Sequence, residues 1–146
     1  LVHRGERLFT ITTGAEESLF SLYAALHRAR YTTPRAAATY ALQAEWLGAG
    51  HALVAVAERA GAYVGAAYWI VYKGSAYYAS GVYAEDNVSH AIIWRSLLAL
   101  RARGVRAVDL GWQGRARTEK ESAIEFQKRG FGGVDVPVQI TEVAFD

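Results

Sequence analysis

The sequence predicts an α/β (α+β) domain whose mixed, mostly antiparallel sheet is flanked by helices, in the order β-α-α-β-β-β-α-β-α-β. Three β-rich runs, Ala52 to Arg59, Tyr63 to Lys73 and Ser75 to Tyr83, are joined by short segments containing Gly61 and Gly74, which is typical of tight hairpins. Apolar residues at helical spacing precede and follow these runs. The chain has 146 residues, 52% of them hydrophobic, which suits one domain with its own core.

The N-terminal part reads as one strand and two helices. Arg7 to Thr12 predicts a strand, and from Ala15 the apolar spacing becomes helical. Thr33-Pro34 predicts the start of a second helix, and Gly48-Ala49-Gly50 predicts its end. The expected buried stripes are Leu19, Leu22, Tyr23, Leu26 and Ala29 in the first helix, and Ala37, Tyr40, Ala41, Ala44 and Leu47 in the second.

The C-terminal part continues with two helices and further strands. Asn87 or Ser89 caps a third helix that ends at Gly104, and Val105 to Leu110 predicts a buried strand. Thr118 and Glu121 have capping-box spacing, which predicts a fourth helix to about Arg129. Val134 to Phe145 predicts one or two closing strands, with Pro137 at a break or an edge. The buried stripe expected for the third helix is Ile92, Ile93, Ser96, Leu97 and Leu100.

Composition excludes several classes of site. There is no cysteine, hence no disulfide framework or thiolate metal site, and the four histidines are scattered without metal-ligand spacing. No apolar run reaches the roughly 18–20 residues of a membrane-spanning helix, and no signal-peptide pattern is found at the start. We therefore expect a cytoplasmic protein without a metal ion or a membrane partner. Because methionine is absent, we expect a segment of a longer chain or a trimmed one.

Basic residues concentrate in the stretch 95–129. A basic face there would suit a phosphate-bearing partner such as tRNA, and an ordinary solvated helix surface explains the charge equally well. The residues are Arg95, Arg101, Arg103, Arg106, Arg115, Arg117, Lys120, Lys128 and Arg129.

Several short motifs occur in a recognisable order. They are Tyr77-Tyr78-Ala79-Ser80-Gly81, the helix Ala91 to Gly104, Val108-Asp109-Leu110-Gly111, and Lys128-Arg129-Gly130-Phe131-Gly132-Gly133. With the predicted order of elements, they resemble GNAT-fold acyltransferases of the Fem-like branch, the peptidoglycan bridge-forming aminoacyl ligases and related N-acyltransferases. Two positions depart from that family: Gln127 stands where phenylalanine is common, and Val108 where an aromatic residue is common.

The resemblance implies transfer of an acyl or aminoacyl group from an activated ester, with aminoacyl-tRNA as one donor, to an amine acceptor. Fem-type ligases carry two GNAT-like domains, so residues 1–146 are expected to form one such domain. This domain would be the second half of a two-domain ligase, beside an adjoining GNAT-like domain, or a single-domain relative. The family also implies that Lys128 contacts a donor phosphate or the developing oxyanion, and that Phe131 lies at the donor site or packs in the core.

Six further positions are candidates for the chemistry of acyl transfer. Asp109 closes an apolar strand and could orient or deprotonate an amine, or form a salt bridge with Arg106 or Arg115. His90 is a candidate base or a surface histidine, and Tyr83 a candidate proton donor or a core residue. Trp112 and Gln113 are candidates for the walls of the acceptor site, and Arg115 for contacts with the donor.

The junction between Tyr83 and His90 weighs against acyl-CoA as donor. It contains Glu85 and Asp86, with no basic residue and no glycine, whereas a diphosphate is usually held by a basic, glycine-rich turn at a helix N-terminus. Two alternatives stay open: an acyl-CoA-dependent GNAT N-acetyltransferase, and a catalytically silent GNAT-like binding module.

Overall fold

The computed structural model describes residues 8–33, 35–111 and 118–138. Within these ranges the chain forms five strands and four helices. They are β1 (Thr10–Gly14), α1 (Glu17–Arg30), α2 (Ala37–Gly48), β2 (Ala52–Arg59), β3 (Ala62–Tyr72), β4 (Ser75–Tyr83), α3 (Val88–Ala102), β5 (Ala107–Asp109) and α4 (Glu119–Arg129). The predicted α/β class and order of elements are confirmed through α4.

The strands form one sheet whose spatial order, β1-β2-β3-β4-β5, follows the chain. The first four strands pair antiparallel, and β5 joins β4 in parallel. Strand alternation sends Val54 and Tyr68 into the core shared with α1 and α2, whereas Gly65 faces Ile92 and Val88 of α3. The sheet is thus covered on both faces.

The chain divides into two compact units, Leu1–Trp112 and Gln113–Asp146. The five strands and α1 to α3 belong to the first unit, and α4 belongs to the second.

Two tight turns build the β2–β3–β4 meander. Each consists of two residues with positive φ, Ala60 (50°) with Gly61 (80°), and Lys73 (46°) with Gly74 (75°). Positive φ at both central residues defines the turn whose twist matches that of the flanking strands. The glycines carry this conformation without steric cost, so both predicted hairpins are confirmed.

A hydrogen-bonded aromatic cluster joins α1 and α2 to the sheet. Tyr68 Oη on β3 donates to the Gln43 carbonyl of α2 at 2.7 Å, and Gln43 Nε2 donates to Tyr23 Oη of α1 at 3.3 Å. His27 Nδ1 lies 2.9 Å from Tyr40 Oη. Burial, and secondarily the charge of Arg35, lowers the pKa of His27.

Acid should therefore weaken the fold through His27. Its pKa is lower in the folded protein than the about 6.5 of an unfolded chain, so the unfolded state binds the extra proton. The contribution of neutral His27 to stability is fully present above about pH 6.5, the pKa in the unfolded chain. It is lost as the pH falls from there toward the pKa of His27 in the folded protein. We expect His27→Gln to flatten the loss of stability between pH 7 and pH 5, measured by urea unfolding. His51→Gln, at an exposed position, is the control; an unchanged slope in His27→Gln would contradict the assignment.

The buried faces of α1 and α2 differ from the predicted ones. In α1, Leu19 and Tyr23 are buried as expected, but Leu22 and Leu26 are only partly buried and Ala29 is exposed. In α2, Ala41 and Ala44 are exposed whereas Gln43 is buried, because its side chain and carbonyl bond to two core tyrosines. The predicted cap at Thr33 is wrong, since α2 begins at Ala37 with Ala36 in the N-cap position.

The predictions after α3 are confirmed in part. The capping box of Thr118 and Glu121 forms in both directions, and α4 ends at Arg129 as expected. The strand over 105–110 is shorter and more exposed than predicted, since β5 spans three residues and its two ends are exposed. Gly133 to Val138 form no strand, and the rest of the predicted closing segment lies outside the described residues.

Candidate active site

β4 and β5 separate partway along β4. β5 pairs only with the first three residues of β4, and Tyr77 opposite Asp109 is the last pair. From Tyr78 to Tyr83, β4 has no strand partner on that side among the described residues. Within the described part of the chain, the last six of the nine residues of β4 therefore form an open edge.

The hydrogen-bond pattern shows which peptide groups face this edge. Ala84 N–H donates to the Val64 carbonyl of β3 at 2.9 Å, so alternate residues of β4, Val82 and Ser80, also direct their peptide groups toward β3. The peptide groups of Gly81 and Tyr83 point the other way. Consistently, the Gly81 carbonyl accepts a hydrogen bond from Tyr31 Oη at 3.3 Å.

A β-bulge brings two tyrosines of β4 onto one face. Tyr78 pairs with Trp69 and Ser80 pairs with Tyr68, so Ala79 is an extra residue in β4. Tyr78 and Tyr83 are five positions apart and would face opposite sides of a regular strand. The bulge shifts the alternation by one, and the two hydroxyl oxygens lie 2.5 Å apart.

Gly81 provides the space for this pair. A Cβ built on Gly81 would overlap the hydroxyl oxygens of both Tyr78 and Tyr83. The Trp69 ring packs against Tyr78 with ring centroids 5.1 Å apart and holds the Tyr78 ring in place.

Both hydroxyls of the pair are neutral at physiological pH. Burial raises the pKa of Tyr78 to about 12, and burial raises the pKa of Tyr83 well above its usual value of 10.0. A neutral phenol carries a proton and is not a base at this pH, and its raised pKa makes it a weaker acid than an ordinary tyrosine. The predicted candidate Tyr83 therefore has the protonation state of an acid.

A second feature is a groove beside the N-terminus of α3. It is lined by residues 8 and 9 and by Arg59, Ala84, Glu85, Asp86 and Asn87. Arg59 Nη1 lies 2.7 Å from Glu85 Oε2, so a cation from β2 compensates one of the two carboxylates of this turn. The turn itself contains no basic residue, as the sequence shows; the cation comes from a distant strand, which the sequence analysis did not consider.

The turn before α3 also has an unusual backbone. Asn87 is the N-cap residue with φ of 65°, and its side chain makes no capping hydrogen bond. The first turn of any α-helix has N–H groups without i−4 partners and carries the positive end of the helix dipole. His90 lies in this turn. Burial is the main cause that lowers the pKa of its imidazole, so His90 is neutral near pH 7.

Asp109 lies where β4 and β5 separate. It is exposed, contrary to its predicted position at the end of a buried strand. Its Oδ1 accepts a hydrogen bond from Gly111 N–H at 2.6 Å, which stabilises the turn after β5. In the described part of the chain, no ion pair joins Asp109 to Arg106.

The remaining predicted site residues lie in the second unit or outside the described residues. Lys128 is in the last turn of α4 and Phe131 follows it, and both are partly buried. Arg129 pairs with Glu125 at 2.7 Å and with Asp135 at 3.3 Å. Trp112, Gln113 and Arg115 lie outside the described residues. The structure does not bring Tyr83 and Asp109 together, since Asp109 lies opposite Tyr77 and Tyr83 is at the far end of β4. It adds Tyr78, Gly81, Tyr31 and Arg59 to the candidate residues, which the sequence analysis missed.

The described residues offer neither a metal site nor a membrane-spanning helix. Residues 8–33, 35–111 and 118–138 contain no cluster of His, Asp or Glu side chains suited to a metal ion. No helix in these ranges combines the length and the apolar character needed to cross a membrane.

The sequence of residues 1–120 matches the Acetyltransferase (GNAT) domain family. Since this match covers most of the 146 residues, the chain belongs to that family, whose members are acyltransferases. A search of curated proteins gave no significant match.

Solved structures with the same fold include three acetyltransferases. The ribosomal-protein-S18-alanine N-acetyltransferase of Escherichia coli aligns with a TM-score of 0.61 and 16% identity over 83% of this chain and 76% of that one. The aminoglycoside N-acetyltransferase AAC(6')-Iy in complex with CoA gives 0.70 and 13%, over 93% and 94% of the two chains. An aminoglycoside acetyltransferase from an uncultured soil metagenomic sample, in complex with sisomicin, gives 0.66 and 15%, over 96% and 99%. At these identities the likeness establishes the fold.

Proposed function

We propose that the chain transfers an acetyl group from acetyl-CoA to a primary amine. The main support for this proposal is the open edge of β4 from Tyr78 to Tyr83. The outward-facing peptide groups of Gly81 and Tyr83 can hydrogen-bond an extended donor as an additional strand would. The amide-containing arm of CoA has the matching donors and acceptors. A structural neighbour that binds CoA supports the same donor.

The groove beside α3 fits the phosphate end of this donor. Arg59 contributes a cation there, and the N-terminus of α3 contributes the positive end of the helix dipole. The ion pair between Arg59 and Glu85 reduces the repulsion that the acidic turn would exert on a diphosphate. These residues would bind and orient the donor, while the reacting thioester lies farther along β4.

The reaction needs positioning and charge stabilisation without a covalent enzyme intermediate. The neutral amine attacks the thioester carbonyl, an N–C bond forms, and the carbonyl oxygen becomes an oxyanion that a backbone N–H on the open edge, such as that of Gly81, can stabilise. The C–S bond then breaks. The nitrogen loses one proton, the sulfur gains one, and the products are an amide and a free thiol. Asp109, which is exposed at the point where β4 and β5 separate, is a candidate to orient the entering amine.

Donor binding gives the first test. Acetyl-CoA at 100 times its Kd should add about 2.7 kcal/mol to the free energy of unfolding, which corresponds to a rise in Tm of roughly 5–10 °C. Thiol release with a panel of primary amines then measures turnover. Adenosine 3′,5′-bisphosphate, which lacks the pantetheine arm, is the control and should give a smaller rise.

Other outcomes distinguish the remaining functions. A rise in Tm with charged tRNA but not with acetyl-CoA would contradict the proposal and favour the aminoacyl transfer that the Fem-like resemblance implies. The basic stretch 95–129 would then contact tRNA phosphates, and the affinity would fall steeply with salt. No response to either donor would favour a silent GNAT-like module.

A further inference from the structure

Arg35 lies in the connection between α1 and α2 and belongs to neither helix. Its side chain is partly buried, and Nη1 donates a hydrogen bond to the hydroxyl of Tyr23 at 3.3 Å. Among the described residues, no carboxylate forms an ion pair with Arg35. Taking a cation out of water costs free energy unless an anion compensates it. Within the part of the chain that the structure describes, the charge of Arg35 therefore lacks a compensating anion.

The residues around this connection add positive charge and no negative charge. The stretch from His27 to Ala36 contains two further arginines, Arg28 and Arg30, and no acidic residue. Both lie in the last turn of α1, where a cation stabilises the C-terminal end of the helix dipole. Arg28 also packs over the Tyr40 ring at 4.3 Å. This explanation does not extend to Arg35, which lies outside both helices.

Two observations place the connection beside the open edge of β4. Tyr31, at its start, donates a hydrogen bond to the Gly81 carbonyl of that edge at 3.3 Å. Burial is the main cause that raises the pKa of Tyr78 to about 12, and the nearby hydroxyls of Tyr31 and Tyr23 raise it further. Because Arg35 binds the Tyr23 hydroxyl, its guanidinium lies near the edge at which the proposed reaction occurs.

The donor and the acceptor reach this edge from different faces of the sheet. In the proposed function, on which this inference rests, the phosphate end of the donor occupies the groove beside α3. The helices α1 and α2 cover the opposite face, so the connection between them is available to the acceptor. The planar guanidinium of arginine matches a carboxylate with two parallel N–H donors.

We propose that the acceptor is a primary amine that also carries a carboxylate, such as an amino acid, and that Arg35 binds this carboxylate. The Tyr23 hydroxyl orients the guanidinium, and the other N–H groups of Arg35 donate to the acceptor. The amine nitrogen of the bound acceptor then faces the thioester at the open edge of β4. The carboxylate itself does not react, so Arg35 determines which amines are accepted and takes no part in proton transfer.

Paired acceptors test the inference. The panel consists of amino acids and dipeptides, each compared with its own carboxamide, and the rate of thiol release is measured. For the wild type, kcat/KM for the acids should exceed that for the amides by about 10-fold or more, as one charge-assisted hydrogen bond predicts. Arg35→Gln should lower kcat/KM for the acids to the level of the amides, with KM for acetyl-CoA unchanged. Spermidine, a polycation, should be a poor acceptor for the wild type.

Arg28→Gln is the matched control. It removes one positive charge close to the same connection, but Arg28 packs on the Tyr40 ring of α2, so the preference for acids should remain. Acetyl-CoA should raise the Tm of each variant by the same amount, which shows that each is folded and binds the donor.

Each contrary outcome has a distinct meaning. If the amides, spermidine or an amine with a phosphate such as phosphoethanolamine are better acceptors than the acids, the carboxylate assignment is wrong while the acetyltransferase proposal survives. The same holds if acetyl-CoA binds but no acid supports thiol release. If Arg35→Gln keeps the preference for acids, Arg35 is not the residue that binds the carboxylate. If the wild type neither binds acetyl-CoA nor releases thiol with any amine, the proposed function fails and this inference fails with it.

Discussion

Gly81→Ala is expected to lower the kcat of acetyl transfer by about 100-fold or more, the size of one lost hydrogen bond to the oxyanion. The added Cβ would overlap both hydroxyl oxygens of the Tyr78–Tyr83 pair, so at least one ring must move and their hydrogen bond breaks. The same residue presents its peptide group to the open edge of β4. One methyl group thus disturbs the tyrosine pair and the open edge of β4 together, and the steady-state rate of thiol release measures the effect.

Gly48→Ala is the matched control for this substitution. Gly48 is the last residue of α2, and a Cβ added there meets no atom within 4 Å. This variant should keep full activity and a Tm equal to or slightly above that of the parent. A Gly81→Ala enzyme within about threefold of the parent rate, well short of the expected loss, would contradict the proposed geometry.

The largest effect on stability is expected at Trp69. Its side chain, on β3, is fully buried and contacts the Tyr78 ring. Trp69→Ala should cost about 3–5 kcal/mol through lost burial and the cavity left behind. Because the indole N–H has no hydrogen-bond partner among the described residues, its removal recovers part of this cost. We expect a decrease in Tm of roughly 10 °C, measured by thermal unfolding.

Tyr72→Ala controls for loss of an aromatic ring from the same strand. Tyr72 is 62% exposed at the end of β3, and its removal should change stability by no more than about 0.5 kcal/mol. Equal losses of stability in the two variants would mean that the Trp69 side chain is not buried as described.

The parts of the fold that local residues determine were predictable. Glycine at two-residue turns defines the β2–β3 and β3–β4 hairpins, and the Thr118–Glu121 capping box defines the start of α4. Burial depends on tertiary partners and was predicted less well. Gln43 and His27 are polar, yet both are buried, and core tyrosines hydrogen-bond Gln43 Nε2 and His27 Nδ1.

The candidate site was predicted less completely than the fold. Tyr83 was named from the sequence, but Tyr78 was not, because simple alternation places residues five apart on opposite faces. A β-bulge has no dependable sequence signal at Ala79, and pairing with β3 reveals it. Arg59 was missed for a similar reason, since it reaches the turn before α3 from a strand 26 residues earlier in the chain.

The order of the strands has a consequence for how the chain folds. Because β2, β3 and β4 are neighbours in both the sequence and the sheet, their pairing closes only short loops and loses little conformational entropy. β1 must wait for α1 and α2, which separate it from β2, and β5 must wait for α3. The meander is therefore the natural folding nucleus. Since Tyr78, Gly81 and Tyr83 all lie on its last strand, the tyrosine pair belongs to the earliest structure to form.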